Sequence, residues 1–137
     1  FKVNNYGIDF NSYFDNANSN IIFVAQIENK KAVDNIEKIF SSKSINSYLI
    51  GPYDLTGSMG ITGKFDNPAY LDTLNKIRKS ASINKINSGI HIVNPDINEV
   101  KSAISLGYYF IAYSTDALLL YDRSKNDLKE LKNWKNN

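Results

Sequence analysis

Two acidic residues stand at the ends of apolar runs that have the length of buried strands. Glu28 ends the run that begins at Ile21, and Asp54 follows the shorter run Ser47–Ile50 in a loop rich in glycine. Carboxylates that end two adjacent parallel strands start only about 4.8 Å apart, so both can contact one ion. Hard oxygen ligands suit Mg²⁺, Mn²⁺ and similar divalent ions. The pattern therefore predicts a divalent metal site.

Four repeats of a strand followed by a helix would position these acids. We predict strands at 20–27, 47–50, 87–93 and 108–113 from the apolar runs. Helices are predicted at 9–17, at 29–40, from Pro68 past Ile77, from Pro95 to Leu106, at 115–120 and around Leu128, Leu131 and Trp134. Asn67 and Asn94 each precede a proline and are predicted N-caps, and Gly107 is predicted to end a helix.

This alternation favours an α/β fold with a parallel sheet, in which ligands bind at the carboxyl ends of the strands. The 137 residues suffice for a single domain, residues 1–137, with one core. A closed parallel barrel needs eight strands and about 250 residues, so the chain would be its second half. The periodicity of apolar residues fits a small open sheet with helices on both faces equally well.

Composition excludes several classes of protein. The formal net charge is +2 and the lysines are scattered, so we expect no binding to nucleic acid or to membranes. Zero cysteines exclude disulfides and thiolate sites, and no apolar run reaches the roughly 20 residues of a spanning helix. We expect a cytoplasmic protein. Because the chain begins with Phe1, we expect a piece of a longer protein.

Four motifs together resemble the HpcH/HpaI aldolase family, the metal-dependent class II aldolases whose superfamily includes the citrate lyase β subunit. They are Gln26-Ile27-Glu28, the stretch from Ile50 to Ile61 that contains Gly-Pro-Tyr-Asp-Leu, the segment Gly63-Lys64-Phe65-Asp66-Asn67-Pro68, and Ser114-Thr115-Asp116. The similarity runs from about Tyr6 to Tyr121. It implies a (β/α)₈ TIM barrel of the phosphoenolpyruvate/pyruvate type, of which this chain supplies strands five to eight.

The resemblance also implies roles for six residues. Glu28 and Asp54 would bind Mg²⁺, Mn²⁺ or Co²⁺, and Gln26 would donate to the keto oxygen of the substrate. Backbone amides at Tyr53 and Asp54 would hold the pyruvate carboxylate. Gly51 and Pro52 would keep side chains away from the substrate and fix the turn.

The implied activity is that of a carbon-carbon lyase. A 2-oxo acid chelates the metal through its carboxylate and keto oxygens, and the metal stabilises the enolate that forms when the carbon-carbon bond breaks. The complete enzyme would cleave or form 4-hydroxy-2-oxo acids from pyruvate and an aldehyde. Two alternatives are a lyase for CoA thioesters of the citrate lyase type and a non-catalytic half-barrel. The general-base His and substrate-binding Arg of the family have no counterpart here, so we expect a homo-oligomer or association with the missing half.

Structural interpretations compete with each catalytic one. Asp54 is a good N-cap for a short helix at 55–59, and Glu28 is a good acid for the first turn of a helix. His91, the only histidine, is expected to be a packed or hydrogen-bonded strand residue. Asp116 is expected to cap a helix.

Both arginines and the last apolar stripe are expected to be structural. Arg78 and Arg123 fall on predicted helices away from the strand ends, so neither replaces the missing substrate-binding arginine. The stripe formed by Leu128, Leu131 and Trp134 is typical of a terminal helix that docks on the core, and a contact between subunits is the alternative.

Overall fold

Four short strands alternate with helices along the chain. The computed structural model of the protein describes residues 2–135. Within this range a 3₁₀-helix covers Lys2–Gly7, the strands are β1 (Val24–Ile27), β2 (Ser47–Ile50), β3 (Asn87–Ile92) and β4 (Phe110–Tyr113), and the helices are α1 (Phe10–Asn20), α2 (Lys30–Asp34), α3 (Ile36–Phe40), α4 (Pro52–Ser58), α5 (Pro68–Asn84), α6 (Ile97–Ser105) and α7 (Asp116–Lys135).

All four strands are parallel and follow the order β1-β2-β3-β4. Ile27 pairs with Ile50, and Ile50 pairs with Ile90. The Gly51 amide continues the first ladder by donating to the Ile27 carbonyl at 3.3 Å. The predicted α/β class with a parallel sheet is confirmed. That the sheet is the C-terminal half of a barrel stays a prediction.

The two faces of the sheet differ. The face covered by helices holds the core, which includes Ile27, Tyr48 and Ile50, all at most 1% exposed. Side chains alternate between the faces of a strand, so Gln26 of β1 and Phe110 of β4 lie on the opposite face. Both are exposed. One face of the sheet is therefore packed and the other is open.

Three predicted elements have different bounds in the structure. The predicted helix at 29–40 is two helices, because Asn35 leaves helical geometry and its side-chain amide donates to the Lys31 carbonyl in place of the backbone. The predicted first strand is shorter, since α1 extends to Asn20 and strand pairing starts at Val24. Likewise β4 starts at Phe110 rather than at 108.

Helix termini follow the predicted rules in part. Asn67 caps α5 as predicted, with its side chain accepting from the Ala69 amide at 2.9 Å. The prediction of Asn94 as an N-cap is wrong. Asp96 caps α6, and its side chain accepts from the Asn98 amide at 2.8 Å. Asn and Asp are equally good caps, so the choice depends on the turn at the intervening proline.

The last helix is continuous and exposed. The prediction of two helices after β4 is wrong, because 116–135 contains no glycine or proline to interrupt α7. The prediction that this helix docks on the core is wrong for this chain: Leu128, Leu131 and Trp134 are 59%, 60% and 77% exposed. Among the described residues, no helix combines the length and the apolar character needed to span a membrane.

Candidate functional site

Gln26 and Glu28 form a hydrogen-bonded pair at the carboxyl end of β1. Their side chains lie on the same side because they are two positions apart on an extended segment. Gln26 Nε2 donates to Glu28 Oε2 at 2.6 Å. Gln26 is exposed and Glu28 is half-buried, so the carboxylate keeps access to solvent. The amide fixes one carboxylate oxygen and leaves the other available.

Gly51 lies directly against this pair. A Cβ atom at position 51 would be 3.1 Å from the Cβ of Glu28, 3.2 Å from Gln26 Nε2 and 3.2 Å from Glu28 Oε2. These distances are shorter than ordinary van der Waals contacts. The backbone of Gly51 is extended, with φ −95° and ψ 94°, so the need for glycine here is steric. The absence of a side chain at Gly51 lets the pair occupy this space.

Asp54 lies on the first turn of α4. The N-cap of α4 is Gly51 and Pro52 is its first residue, so the interpretation of Asp54 as an N-cap is wrong. The carboxylate is exposed, and a negative charge in the first turn is favoured by the helix dipole. No side chain caps α4, and the first amides of a helix have no partner within it. The amides of Tyr53 and Asp54 are therefore free to donate to a ligand.

Glu28 is not a helix acid either. Asn29 caps α2, with its side chain accepting from the Lys31 amide at 2.9 Å, and α2 begins only at Lys30. Glu28 precedes the cap, and its side chain accepts a hydrogen bond from Gln26. The structural interpretation proposed for Glu28 is therefore wrong.

A serine connects the loop after β1 to α4. Ser58 Oγ accepts from the Lys30 amide at 2.8 Å and donates to the Leu55 carbonyl at 2.7 Å. This connection bridges 28 residues of sequence. It holds the segment that carries Glu28 beside the helix that carries Asp54. Sequence analysis missed Ser58, because no local pattern distinguishes it from any other serine at a helix end.

Thr56 anchors the other side of α4. Its buried hydroxyl donates to the Pro52 carbonyl at 2.7 Å and accepts from the Gly63 amide at 3.0 Å. Tyr53 packs edge-on against Phe65, with ring centroids 5.0 Å apart. These contacts fix the loop 59–67 over the start of α4. The Gly-Pro-Tyr-Asp-Leu and Gly-Lys-Phe-Asp segments are thus parts of one substructure.

The chain offers two carboxylates for a metal ion at this end of the sheet. Within residues 2–135 no group of three or more His, Cys, Asp or Glu side chains could hold a metal ion. A centre built on Glu28 and Asp54 would therefore take its remaining oxygen ligands from water or substrate, as Mg²⁺ sites commonly do. Two accessible carboxylates, one oriented by an amide, fit such an ion.

His91 is a hydrogen-bonded strand residue, as predicted. It is half-buried on β3, and its Nε2 lies 3.2 Å from the Ser114 carbonyl oxygen. Asp116 begins α7, and its carboxylate accepts from the Ala117 amide at 2.7 Å, consistent with a role at the helix terminus. Arg78 and Arg123 lie on α5 and α7, as predicted.

A family model described as HpcH/HpaI aldolase/citrate lyase matches residues 3–122, most of the chain. The chain belongs to this family. The 2-keto-3-deoxy-L-rhamnonate aldolase of Shigella dysenteriae serotype 1 (strain Sd197) is 30% identical to this family member over 130 residues, which are 91% of the chain and 46% of the relative. The resemblance found in the motifs is thereby confirmed.

Solved structures of the family share the fold. An HpcH/HpaI aldolase/citrate lyase family protein from Burkholderia cenocepacia J2315 superposes with a TM-score of 0.84 at 22% identity, over 92% of this chain and 49% of that one. The citrate lyase β subunit of M. tuberculosis, complexed with oxaloacetate and magnesium, gives a TM-score of 0.58 at 14% identity, over 73% of this chain and 50% of that one. The chain spans less than half of the length of the curated relatives that it matches.

Proposed function

We propose that this chain carries the metal-binding and pyruvate-binding half of a class II aldolase that cleaves 4-hydroxy-2-oxo acids. The observation that carries the proposal is the Gln26 and Glu28 pair, packed against Gly51 at the start of the helix that bears Asp54. The name of the rhamnonate aldolase relative supports an aldolase acting on a 2-oxo acid. A magnesium-containing neighbour of the same fold supports a divalent ion, and Mg²⁺, Mn²⁺ and Co²⁺ all accept such ligands.

Glu28 and Asp54 are the proposed metal ligands. The bound ion would act as a Lewis acid that stabilises the negative charge of an enolate. Gln26 orients the Glu28 carboxylate through the bond at 2.6 Å, and its amide has a second hydrogen to donate to the keto oxygen of the substrate. Gln26 thus has the proposed catalytic role of orienting both a ligand and the reacting carbonyl.

The start of α4 is the proposed site for the pyruvate carboxylate. Tyr53 and Asp54 lie in the first turn of α4, where backbone amides have no partner within the helix, and a helix N-terminus favours a negative charge. Gly51 and Pro52 form the turn and place no flexible side chain in front of these amides. A carboxylate held there lies beside the strand end that presents Gln26 and Glu28.

The base that moves the proton is not assigned to this chain. His91 is held by the Ser114 carbonyl, and both arginines lie on helices. We propose that the remaining part of the active site comes from another half of a TIM barrel, which would pair with the exposed edges β1 and β4. A homo-oligomer and a cytoplasmic location belong to the same proposal. The alternatives are a CoA-thioester lyase and a non-catalytic half-barrel.

Metal binding tests the ligand assignment. Calorimetry with Mn²⁺ is expected to show one weak site in the chain, lost in Glu28→Ala and Asp54→Ala. Glu37→Ala and Asp72→Ala are matched controls, since both acids are exposed on helices away from the strand ends. Unchanged affinity in Glu28→Ala and Asp54→Ala would contradict the assignment, whereas loss in all four variants would indicate nonspecific binding.

Product analysis tests the reaction. The full-length gene product that contains this sequence is expected to release pyruvate from a 4-hydroxy-2-oxo acid in the presence of Mn²⁺, and chelation is expected to stop the release. A product profile of acetyl-CoA or other thioesters would favour the citrate lyase alternative. Metal binding without any turnover would favour the non-catalytic half-barrel.

A further inference from the structure

Arg78 has no carboxylate partner among the described residues. It is half-buried on α5, and its Nη2 donates to Asn75 Oδ1 at 2.6 Å. The ion pair found among residues 2–135 joins the other arginine, Arg123, to Asp127 on the surface of α7. Charged groups that are partly removed from water are usually paired with an opposite charge. Arg78 therefore has donors to spare for an anion that the described part of the chain does not supply.

Tyr108, which precedes β4, lines the same groove between α5 and α6 as Arg78. Its hydroxyl is buried and has no hydrogen-bond partner within the described residues. Burial raises the pKa of this hydroxyl, and the positive charge of Arg78 opposes the rise. Buried polar groups without a partner are uncommon and call for a bound water or ion.

This groove between α5 and α6 is open. It has a volume of about 590 Å³ and is lined at its polar part by Arg78 and Tyr108. The remaining wall is largely apolar and includes Leu71, Leu74, Ile90, Ile92 and Leu106. Polar side chains of Asn75, Asp96, Asn98, Glu99 and Ser102 complete the lining. Such a volume, with apolar and polar parts, suits a small organic molecule.

The charges of the groove restrict the ligand. Arg78 is the cationic residue that lines it, whereas Asp96 and Glu99 line the side formed by α6. A guanidinium matches the two oxygens of a carboxylate. A second negative charge on the ligand would approach Asp96 and Glu99 and be repelled. The groove therefore favours one carboxylate and an uncharged body.

We propose that the groove between α5 and α6 binds an organic monocarboxylate, with its carboxylate at Arg78 and Tyr108 and its apolar body against Leu71 and Leu74. The site lies on the face of the sheet covered by helices. Gln26 and Glu28 lie on the opposite face, so this site does not depend on the proposed metal centre. A monocarboxylate here is a second ligand of the chain, separate from a substrate at the strand ends.

Calorimetry or NMR titration of the full chain with phenylacetate tests the proposal. Acetate carries the carboxylate alone, 2-phenylethanol carries the apolar body alone, and phenylsuccinate adds a second carboxylate. We expect phenylacetate to bind more tightly than each of the three. Arg78→Gln is expected to weaken phenylacetate binding by roughly tenfold or more, because it removes a charge-assisted hydrogen bond.

The other arginine provides a matched control. Arg123→Gln is expected to leave phenylacetate affinity unchanged, since Arg123 lies exposed on α7. Tyr108→Phe, which removes one donor, is expected to weaken binding by roughly threefold to tenfold. Arg78→Lys keeps the positive charge without the planar guanidinium, so we expect an intermediate loss of phenylacetate affinity. This variant tests the proposal if Arg78→Gln does not fold.

Five outcomes would overturn the proposal. The first four are no binding of phenylacetate, equal binding of phenylacetate and 2-phenylethanol, tighter binding of phenylsuccinate, and full affinity in Arg78→Lys together with Tyr108→Phe. If Tyr108→Phe raises the melting temperature and leaves phenylacetate binding unchanged, the hydroxyl contacts a water rather than a ligand, and the proposal is also wrong.

Discussion

Gly51→Ala is expected to disturb the Gln26 and Glu28 pair, although the φ of −95° at position 51 is one that alanine adopts. The added Cβ would lie 3.1 Å from the Glu28 Cβ and 3.2 Å from both Gln26 Nε2 and Glu28 Oε2. Contacts between carbon atoms are most favourable at about 3.5 to 4.0 Å, so the neighbours must move by a few tenths of an ångström. Gln26 Nε2 is the end of a flexible side chain and can rotate away. The Glu28 Cβ is fixed to β1 and cannot.

The loss of unfolding free energy depends on which atom moves. Overpacking of this kind costs about 1 to 3 kcal/mol of unfolding free energy, which corresponds to a fall of about 3 °C in melting temperature per kcal/mol for a domain of this size. Displacing the group that orients a metal ligand typically lowers metal affinity by about 10- to 100-fold. Both losses are expected together in Gly51→Ala.

Gly57→Ala is the matched control. Gly57 lies within α4, and its nearest atom to an added Cβ would be Thr62 Oγ1 at the ordinary distance of 3.5 Å. Alanine is favoured over glycine in a helix by about 0.5 to 1 kcal/mol, so this variant is expected to be at least as stable as the natural chain.

Three measurements decide the Gly51→Ala prediction. Thermal unfolding followed by circular dichroism gives the stability, and Mn²⁺ calorimetry gives the metal affinity. The NMR resonances of the Gln26 side-chain amide are expected to shift, since its bond of 2.6 Å to Glu28 would break. A Gly51→Ala variant with the stability, Mn²⁺ affinity and Gln26 amide resonances of the natural chain would refute the steric argument.

Three further predictions concern stability. Burial raises the pKa of Tyr48 and Tyr70, so the folded state keeps these protons to higher pH than the unfolded chain. The urea midpoint of unfolding is therefore expected to stay constant below about pH 10 and to fall above it. The fall is expected to be less steep in Tyr48→Phe. Lys85 ends α5 with φ +56°, and Lys85→Gly is expected to raise the unfolding free energy by about 1 kcal/mol, measured by urea unfolding; an unchanged midpoint would contradict this. Thr56→Val removes the hydroxyl that bonds Pro52 and Gly63 and is expected to cost about 1 to 3 kcal/mol, with Thr56→Ser retaining most of the stability in the same assay.

Local signals in the sequence were sufficient for the alternation of elements and for one part of the site. The parallel order follows from continuous apolar strands separated by helices, and Asn67 before Pro68 marks a helix start by itself. The spacing of two between Gln26 and Glu28 on an extended segment places their side chains on one side.

Features decided by competition or by distant contacts were not predictable. Asp54 and Gly51 both satisfy cap preferences, and the proline at position 52, favoured at the first helical position, moves the start of α4 forward. Asn35 interrupts a helix that the spacing of the apolar residues favours, because its side chain donates a hydrogen bond to the Lys31 carbonyl. Ser58 contacts Lys30 across 28 residues, which no local pattern encodes.

The position of Glu28 directly after β1 has a consequence for how the protein would respond to the proposed metal ion. β1 is an outer strand that pairs on one side alone, with β2, whereas Asp54 follows an interior strand. An ion bound by both acids would hold β1 against β2 more strongly than their backbone hydrogen bonds alone. By linkage, saturation with Mn²⁺ should slow amide exchange in β1 selectively, and any event that detaches β1 should release the ion.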